Sequence, residues 1–248
     1  MKILVCISHV PDTTSKINFT NDDTVFDTNG VQFVINPNDE FGLTRAIWFQ
    51  EQQGANVTVV NVGLADTEPT LRKALAIGAN EAIRINAAAT DGFYVAKQLA
   101  TVIKNGNYDL VICGKESLDY NGGMVPGMIS GLSGYNFVNS CTDLTVDGTN
   151  AKASREIDGG KEIIETTLPL VIGGQKGLVE EKDLRIPNMR GIMTARTKVL
   201  TVLEPIDANF ETKAVKFEKP AAKSAVKLIS ADNLDELINL LHNEAKVI

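Results

Sequence analysis

The run Gly114-Lys115-Glu116-Ser117-Leu118-Asp119-Tyr120-Asn121-Gly122-Gly123-Met124-Val125-Pro126-Gly127 carries the densest potential for ligand chemistry in this chain. It follows an apolar strand directly and precedes a short helical stretch, Met128 to Leu132. Glycines let a backbone approach a ligand closely, and free amides near a helix start suit a phosphate. The same composition also describes an ordinary glycine-rich surface loop. A second stretch, Leu184 to Lys198, holds Arg185, Arg190, Arg196 and Lys198 and no acid, in a chain of net charge −7. Met189, Ile192 and Met193 stand among those cations, a mixture of soft apolar and basic groups suited to an adaptable binding surface. A solvated loop leading into a strand is the other reading.

Nucleophilic or metal-based catalysis finds little support. The sequence has no GxxxxGK[ST], no GxGxxG after a strand, no GxSxG and no HExxH. Cys6, Cys113 and Cys141 are widely spaced, and with two histidines a zinc site is not expected. Cys6 and Cys113 lie in apolar strands, where packing is their simplest role. His9 borders the expected crevice, and His242 reads as a helix-face residue.

The elements that must position these residues alternate between two periods. Ile3 to Ile7, Val57 to Val62, Ala82 to Ile85 and Asp109 to Cys113 read as strands covered on both faces. Between them, Leu43, Ala46 and Ile47 share a helix face ending near Gly54. Leu71, Ala74 and Leu75 share another, opened at Asp66 or Thr67 with Pro69 in its first turn and closed at Gly78. Val95, Leu99, Val102 and Ile103 form a third stripe. This grammar predicts an α/β fold with a doubly wound, mostly parallel sheet. Its order should reverse beside the first strand, so that Cys6, the Gly114–Gly127 loop and the Asn36-Pro37-Asn38-Asp39-Glu40 turn surround one crevice.

Two departures from that grammar are predicted. Thr24–Asp27 and Val31–Val34 flank Thr28-Asn29-Gly30 as a hairpin inserted after the first strand. After Gly134, short antiparallel strands joined by Asp147-Gly148 and Asp158-Gly159-Gly160 precede a strand at Leu168–Gly173. Beyond Lys198 the chain reads as a tail, rich in Lys, Ala and Glu over 211–227, ending in a helix with Leu234, Leu237, Ile238 and Leu241 on one face. Residues 1–200 are thus expected to form one domain and 201–248 an extended arm.

Hydrophobic residues make up 44% of the 248 and charged residues 22%, enough to build a core without disulfides. The acidic balance disfavours nucleic acid and anionic membrane surfaces. Apolar runs fall far short of the ~20 residues of a membrane span, and Met1 leads straight into a strand rather than a secretory signal. A cytoplasmic protein without membrane insertion is expected.

Several pieces together resemble the beta (small) subunit of electron transfer flavoproteins over essentially the whole chain. They are Ile3–Ile7, Asn36-Pro37, Thr70 to Ala79, Gly114 to Asp119, Arg155 to Gly160, Leu168-Pro169 and Gly191 to Arg196, in that order and spacing. The resemblance implies an adenine-nucleotide alpha-hydrolase-like fold and an electron carrier rather than an enzyme. It also implies a heterodimer with a larger alpha subunit that holds most of the FAD. Electrons would pass from dehydrogenases, such as acyl-CoA dehydrogenases in fatty acid oxidation, to a membrane quinone reductase. The beta subunit's own crevice would hold a structural AMP, or a second FAD in electron-bifurcating members. The positions implied to bind it are Cys6, Asn36, Pro37, Asn38, Asp39, Val62 and the loop Gly114 to Val125. The segment with Arg185, Met189, Arg190, Ile192, Met193 and Arg196 matches a donor-recognition loop, Met189 standing where leucine is usual. Glu156 matches an acid facing the alpha subunit, and the arm would pack on that subunit. The chain departs from the family pattern at Met124, Val125 and Pro126. Met124 cannot donate the amide hydrogen bond of the usual glutamine, and the Gly122-Gly123 amides are the available substitutes. A universal-stress-type ATP-binding module is the alternative with the same sheet, but the second glycine loop such modules carry is missing after Gly114.

Overall fold

The computed structural model describes residues 1–222 and 225–248; residues 223 and 224, within the stretch read as a tail, lie outside the described residues. The chain opens with β1 (Lys2–Cys6), then the short β2 (His9–Pro11), β3 (Asn18–Thr20), β4 (Val25–Asp27) and β5 (Phe33–Ile35). Helix α1 (Pro37–Gln53), β6 (Asn56–Val62), α2 (Glu68–Ile77), β7 (Glu81–Ile85), α3 (Gly92–Gly106) and β8 (Leu110–Gly114) follow in strict alternation. Then come α4 (Val125–Ser133), β9 (Asn136–Asp147), β10 (Asn150–Ile157), β11 (Gly160–Thr167), β12 (Leu170–Gly174), α5 (Met189–Ala195), β13 (Leu200–Leu203) and α6 (Leu234–Asn239). Nine strands form one sheet in the order β11-β10-β9-β12-β8-β1-β6-β7-β13. It is parallel from β9 to β13, and β10 and β11 extend it antiparallel.

The alternation of β1 explains the layering. Ile3, Val5 and Ile7 enter the core beneath α1 and α2, whereas Leu4 and Cys6 enter the core beneath α3 and α4. Successive strand side chains point to opposite faces, so a strand apolar at every position must be covered twice. The helix limits obey local chemistry. Gly54 closes α1 at φ 66°, in the left-handed region that a glycine enters without steric cost. Asp91 caps α3 by accepting from Tyr94 N.

Four expectations need correction. The predicted Asn-Gly hairpin does not form: β4 pairs with β3 and β5 with β2. The tight reversal lies instead at Asn21-Asp22-Asp23, all at positive φ, and the ring of Phe33 stacks 4.4 Å from His9 across the β2–β5 pair. The Gly-rich loop is shorter than read, because α4 begins at Val125 with Pro126 in its first turn, where a missing N–H is harmless. The antiparallel strands after Gly134 belong to the main sheet and begin at Asn136, earlier than Leu144. Finally, the chain beyond Lys198 is not all tail. Strand β13 pairs with β7 at the sheet edge, so a boundary between 200 and 201 cuts it.

Candidate functional site

From β1 the chain winds to β6 and β7 on one side, then crosses to β8 on the other. Loops leaving the carboxyl ends of β1 and β8 therefore diverge, and a crevice opens between them. Its volume is 590 Å³, within the usual range for small-molecule sites. Of the expected residues, Cys6, Asp39, Val62, Gly114, Glu116, Ser117, Asp119, Tyr120, Gly122, Met124 and Val125 form its wall. Asn36, Pro37, Asn38, Lys115, Leu118, Asn121 and Gly123 are not among the lining residues.

Asn36 and Asn38 nevertheless have a legible task. Asn36 Nδ2 donates to Glu116 O (2.9 Å), its Oδ1 accepts from Leu118 N (3.2 Å), and Asn38 Nδ2 donates to Glu116 O (3.3 Å). They hold the loop that forms the wall. Asp39, in the first turn of α1, completes the latch. Its carboxylate accepts from Ser8 N at 2.7 Å, Gly114 N at 2.8 Å and Asn36 Nδ2 at 3.1 Å. Burial pushes its pKa up to about 7, with the hydrogen bonds from Ser8, Asn36 and Gly114 pulling the other way. Gly114 is obligatory here, because a Cβ would overlap Asp39 Oδ1 and sit 2.8 Å from the Cβ of Asn38. Further along, Ser117 N donates to Gly122 O (3.2 Å), closing the loop over Asn121, whose φ is 51°.

Cys6 and Cys113 are neighbours on β1 and β8 at the crevice floor. The Cys113 thiol is held well above the ordinary range by its hydrogen bond with Cys6 and then by burial. A thiol kept protonated is a poor nucleophile, in keeping with a packing role. His9 is half-buried, and burial lowers its pKa against the opposing pull of Asp66; its Nδ1 lies 2.8 Å from Thr70 Oγ1.

Sequence reasoning missed Asn61 and the arm residues Thr212, Lys213 and Ala214, all of which line the crevice. Asn61 Nδ2 donates to Ile7 O at 2.8 Å, and its buried Oδ1 has no hydrogen-bond partner among the described residues. A polar residue inside the apolar run Val57–Val62 was the available signal for Asn61. For the arm no local signal exists, since its contact with the crevice spans more than 100 residues.

The segment 184–198 is not all loop: it contains a seven-residue helix, α5 (Met189–Ala195), with Asn188 accepting from Gly191 N at its start. Met189 is 75% exposed and Met193 68%, and Ile192, Arg190 and Arg196 are also exposed. Two of the four cations are committed within the chain. Arg185 pairs with Glu51 at 2.6 Å. Lys198 Nζ donates to Leu75 O (2.9 Å) and Ala79 O (2.6 Å), capping α2, and burial lowers its pKa. Glu156 is exposed on β10, away from the crevice wall.

Fold and crevice together define a doubly wound α/β domain with an open crevice at the topological switch point. Residues 23–208 match the family model described as electron transfer flavoprotein domain. The chain is 34% identical to the electron transfer flavoprotein subunit beta of Bacillus subtilis, across the full length of both. It is 34% identical to that of Syntrophomonas wolfei over 91% of this chain and 88% of the relative, and 29% identical to the human one over 94% and 95%. The chain belongs to the electron transfer flavoprotein family and aligns with its beta subunits. Its class is that of electron carriers rather than enzymes.

Proposed function

We propose that this chain is the small subunit of a cytoplasmic heterodimer whose larger alpha subunit carries most of the flavin, and that its own crevice holds AMP as a structural ligand. The flavin supplies the redox chemistry when bound. This chain's residues bind, orient and dock. The observation that carries the nucleotide reading is the crevice at the β1–β8 switch point, walled on one side by Gly114, Glu116, Ser117, Asp119, Tyr120 and Gly122 of the glycine-rich loop. An adenine nucleotide fits such a wall, since its phosphate suits backbone amides at the start of α4.

Donor dehydrogenases such as acyl-CoA dehydrogenases would dock on α5, where Met189, Ile192 and Met193 present apolar surface beside Arg190 and Arg196. A membrane quinone reductase would take the electrons onward. The arm would pack on the alpha subunit, which accounts for Leu234 and Ile238 standing 60% and 55% exposed on α6. The exposed Glu156 on β10 would face the same partner. Purifying the complex and identifying its extracted nucleotides tests the reading. AMP together with flavin is the expected result, and a stable chain that copurifies with neither would refute it.

A further inference from the structure

The stretch Phe210–Phe217 runs without regular structure, yet it is fastened at both ends. At one end Phe210 stacks on Tyr94 at 4.3 Å, and Thr212 donates to Asp91 through its N (2.8 Å) and its Oγ1. Both anchors lie at the start of α3. At the other end Phe217 N donates to Asp23 O (2.8 Å) and the Phe217 ring stacks on Phe19 at 4.8 Å. These anchors lie in the β3–β4 hairpin inserted after β1. Between the two fastenings, Thr212, Lys213 and Ala214 line the crevice.

The charge of the crevice gives this strap its meaning. Asp39, Asp66, Asp91, Glu116 and Asp119 line it, and Lys213 is the only lysine or arginine among the described lining residues. An anion entering such a site meets carboxylates from the loops and helix starts around it and one ammonium on the arm. We propose that the arm is the fourth wall of the crevice and that Lys213 is the cationic contact of the bound nucleotide's phosphate. This rests on the nucleotide reading above. A lysine serves here as a point charge on a flexible stem, able to reach a phosphate already held by loop amides. Its strap is fastened to α3 and to the hairpin, and among the described residues Lys213 makes no ion pair.

The test uses the full chain purified in the complex it forms, stripped of bound nucleotide, with AMP and adenosine as calorimetric probes. Lys213→Gln should weaken AMP about tenfold, the worth of one charge-assisted hydrogen bond, and leave adenosine unchanged. Lys213→Arg should keep AMP within about twofold, since the charge is retained. Unchanged AMP affinity in Lys213→Gln overturns the proposal while leaving the crevice reading intact. Equal weakening of AMP and adenosine also overturns it, because the lysine would then act only through docking of the arm. A wild-type complex that binds neither probe removes the nucleotide reading itself, and the proposal with it.

Discussion

Replacing Asp39 by asparagine isolates the electrostatics of the latch beneath the crevice. The carboxylate serves Ser8 N with one oxygen and Gly114 N and Asn36 Nδ2 with the other. Asparagine has one acceptor oxygen, so its amide must face an N–H on one side, leaving a buried donor unpaired at about 1–3 kcal/mol. The pH dependence is the sharper consequence. The folded pKa of Asp39, about 7, lies above its ordinary value of 3.8, so the native state holds this proton more tightly than the unfolded chain. Stability from this group is therefore greatest at low pH, falls as pH rises through the interval from about 4 to about 7, and is level above it. From pH 5 to pH 8 the wild type should lose about 3 kcal/mol through this group, two pH units at about 1.36 kcal/mol each. Asparagine cannot titrate and escapes that loss. The stability of the wild type minus that of Asp39→Asn, read from urea unfolding by circular dichroism, should fall by that amount from pH 5 to pH 8. A gap identical at pH 5 and pH 8 would refute the assignment of a buried, proton-binding Asp39.

Three further substitutions probe the other parts of the site. Gly114→Ala forces a Cβ into Asp39 and Asn38 and should destabilise by about 1–3 kcal/mol, read as a lower urea midpoint; an unchanged midpoint would show that the latch is loose. Lys198→Met removes two hydrogen bonds from a charged donor, one to Leu75 O in the last turn of α2 and one to Ala79 O just past it, and should cost about 1–3 kcal/mol, whereas a free surface lysine would cost nothing measurable in the same titration. Met189→Ala removes an exposed side chain, so the melting temperature and flavin content should stay unchanged while reduction by a donor dehydrogenase slows; equal loss of all three would assign α5 to assembly.

The sheet was legible because β1, β6, β7 and β8 are apolar at nearly every position, a pattern that only a doubly covered strand needs. Helix ends were legible where capping chemistry is local, as at Gly54 and at Pro69 after Thr67. The hairpin was misread because an Asn-Gly pair states only that the chain turns. Which strands then pair was decided by tertiary partners: His9 and Thr70 for β5, Asp23 and Phe217 for β4. The same reason hid the arm, since the pairing of Thr212 with Asp91 is invisible to any window of sequence. Among the basic residues of 184–198, composition marked a cationic surface but could not separate Arg190 and Arg196, which face solvent, from Lys198, which is consumed by the carbonyls of Leu75 and Ala79. In the Asn36–Asp39 turn, sequence identified the right residues, and only geometry separates Asp39, which reaches the wall, from Asn36 and Asn38, which brace it.

One helix joins the two surfaces on which the proposed function depends. At its amino end, Thr67 lines the crevice and Thr70 meets His9. Midway along it, Arg72 donates to Ala195 O and Lys198 O, each at 2.8 Å, and at its carboxyl end Lys198 returns bonds to Leu75 and Ala79. Gly191 packs so closely on Ala76 O that a Cβ there would overlap it. Helix α2 is about 15 Å long at 1.5 Å per residue, and Leu71, Ala74 and Leu75 are wholly buried. A short helix clamped at both ends and buried along one face has no second arrangement to adopt. On the proposed reading, a nucleotide in the crevice therefore stabilises the folded chain by mass action and leaves the Met189 face as it stands. That is how a structural ligand, rather than an allosteric one, should behave.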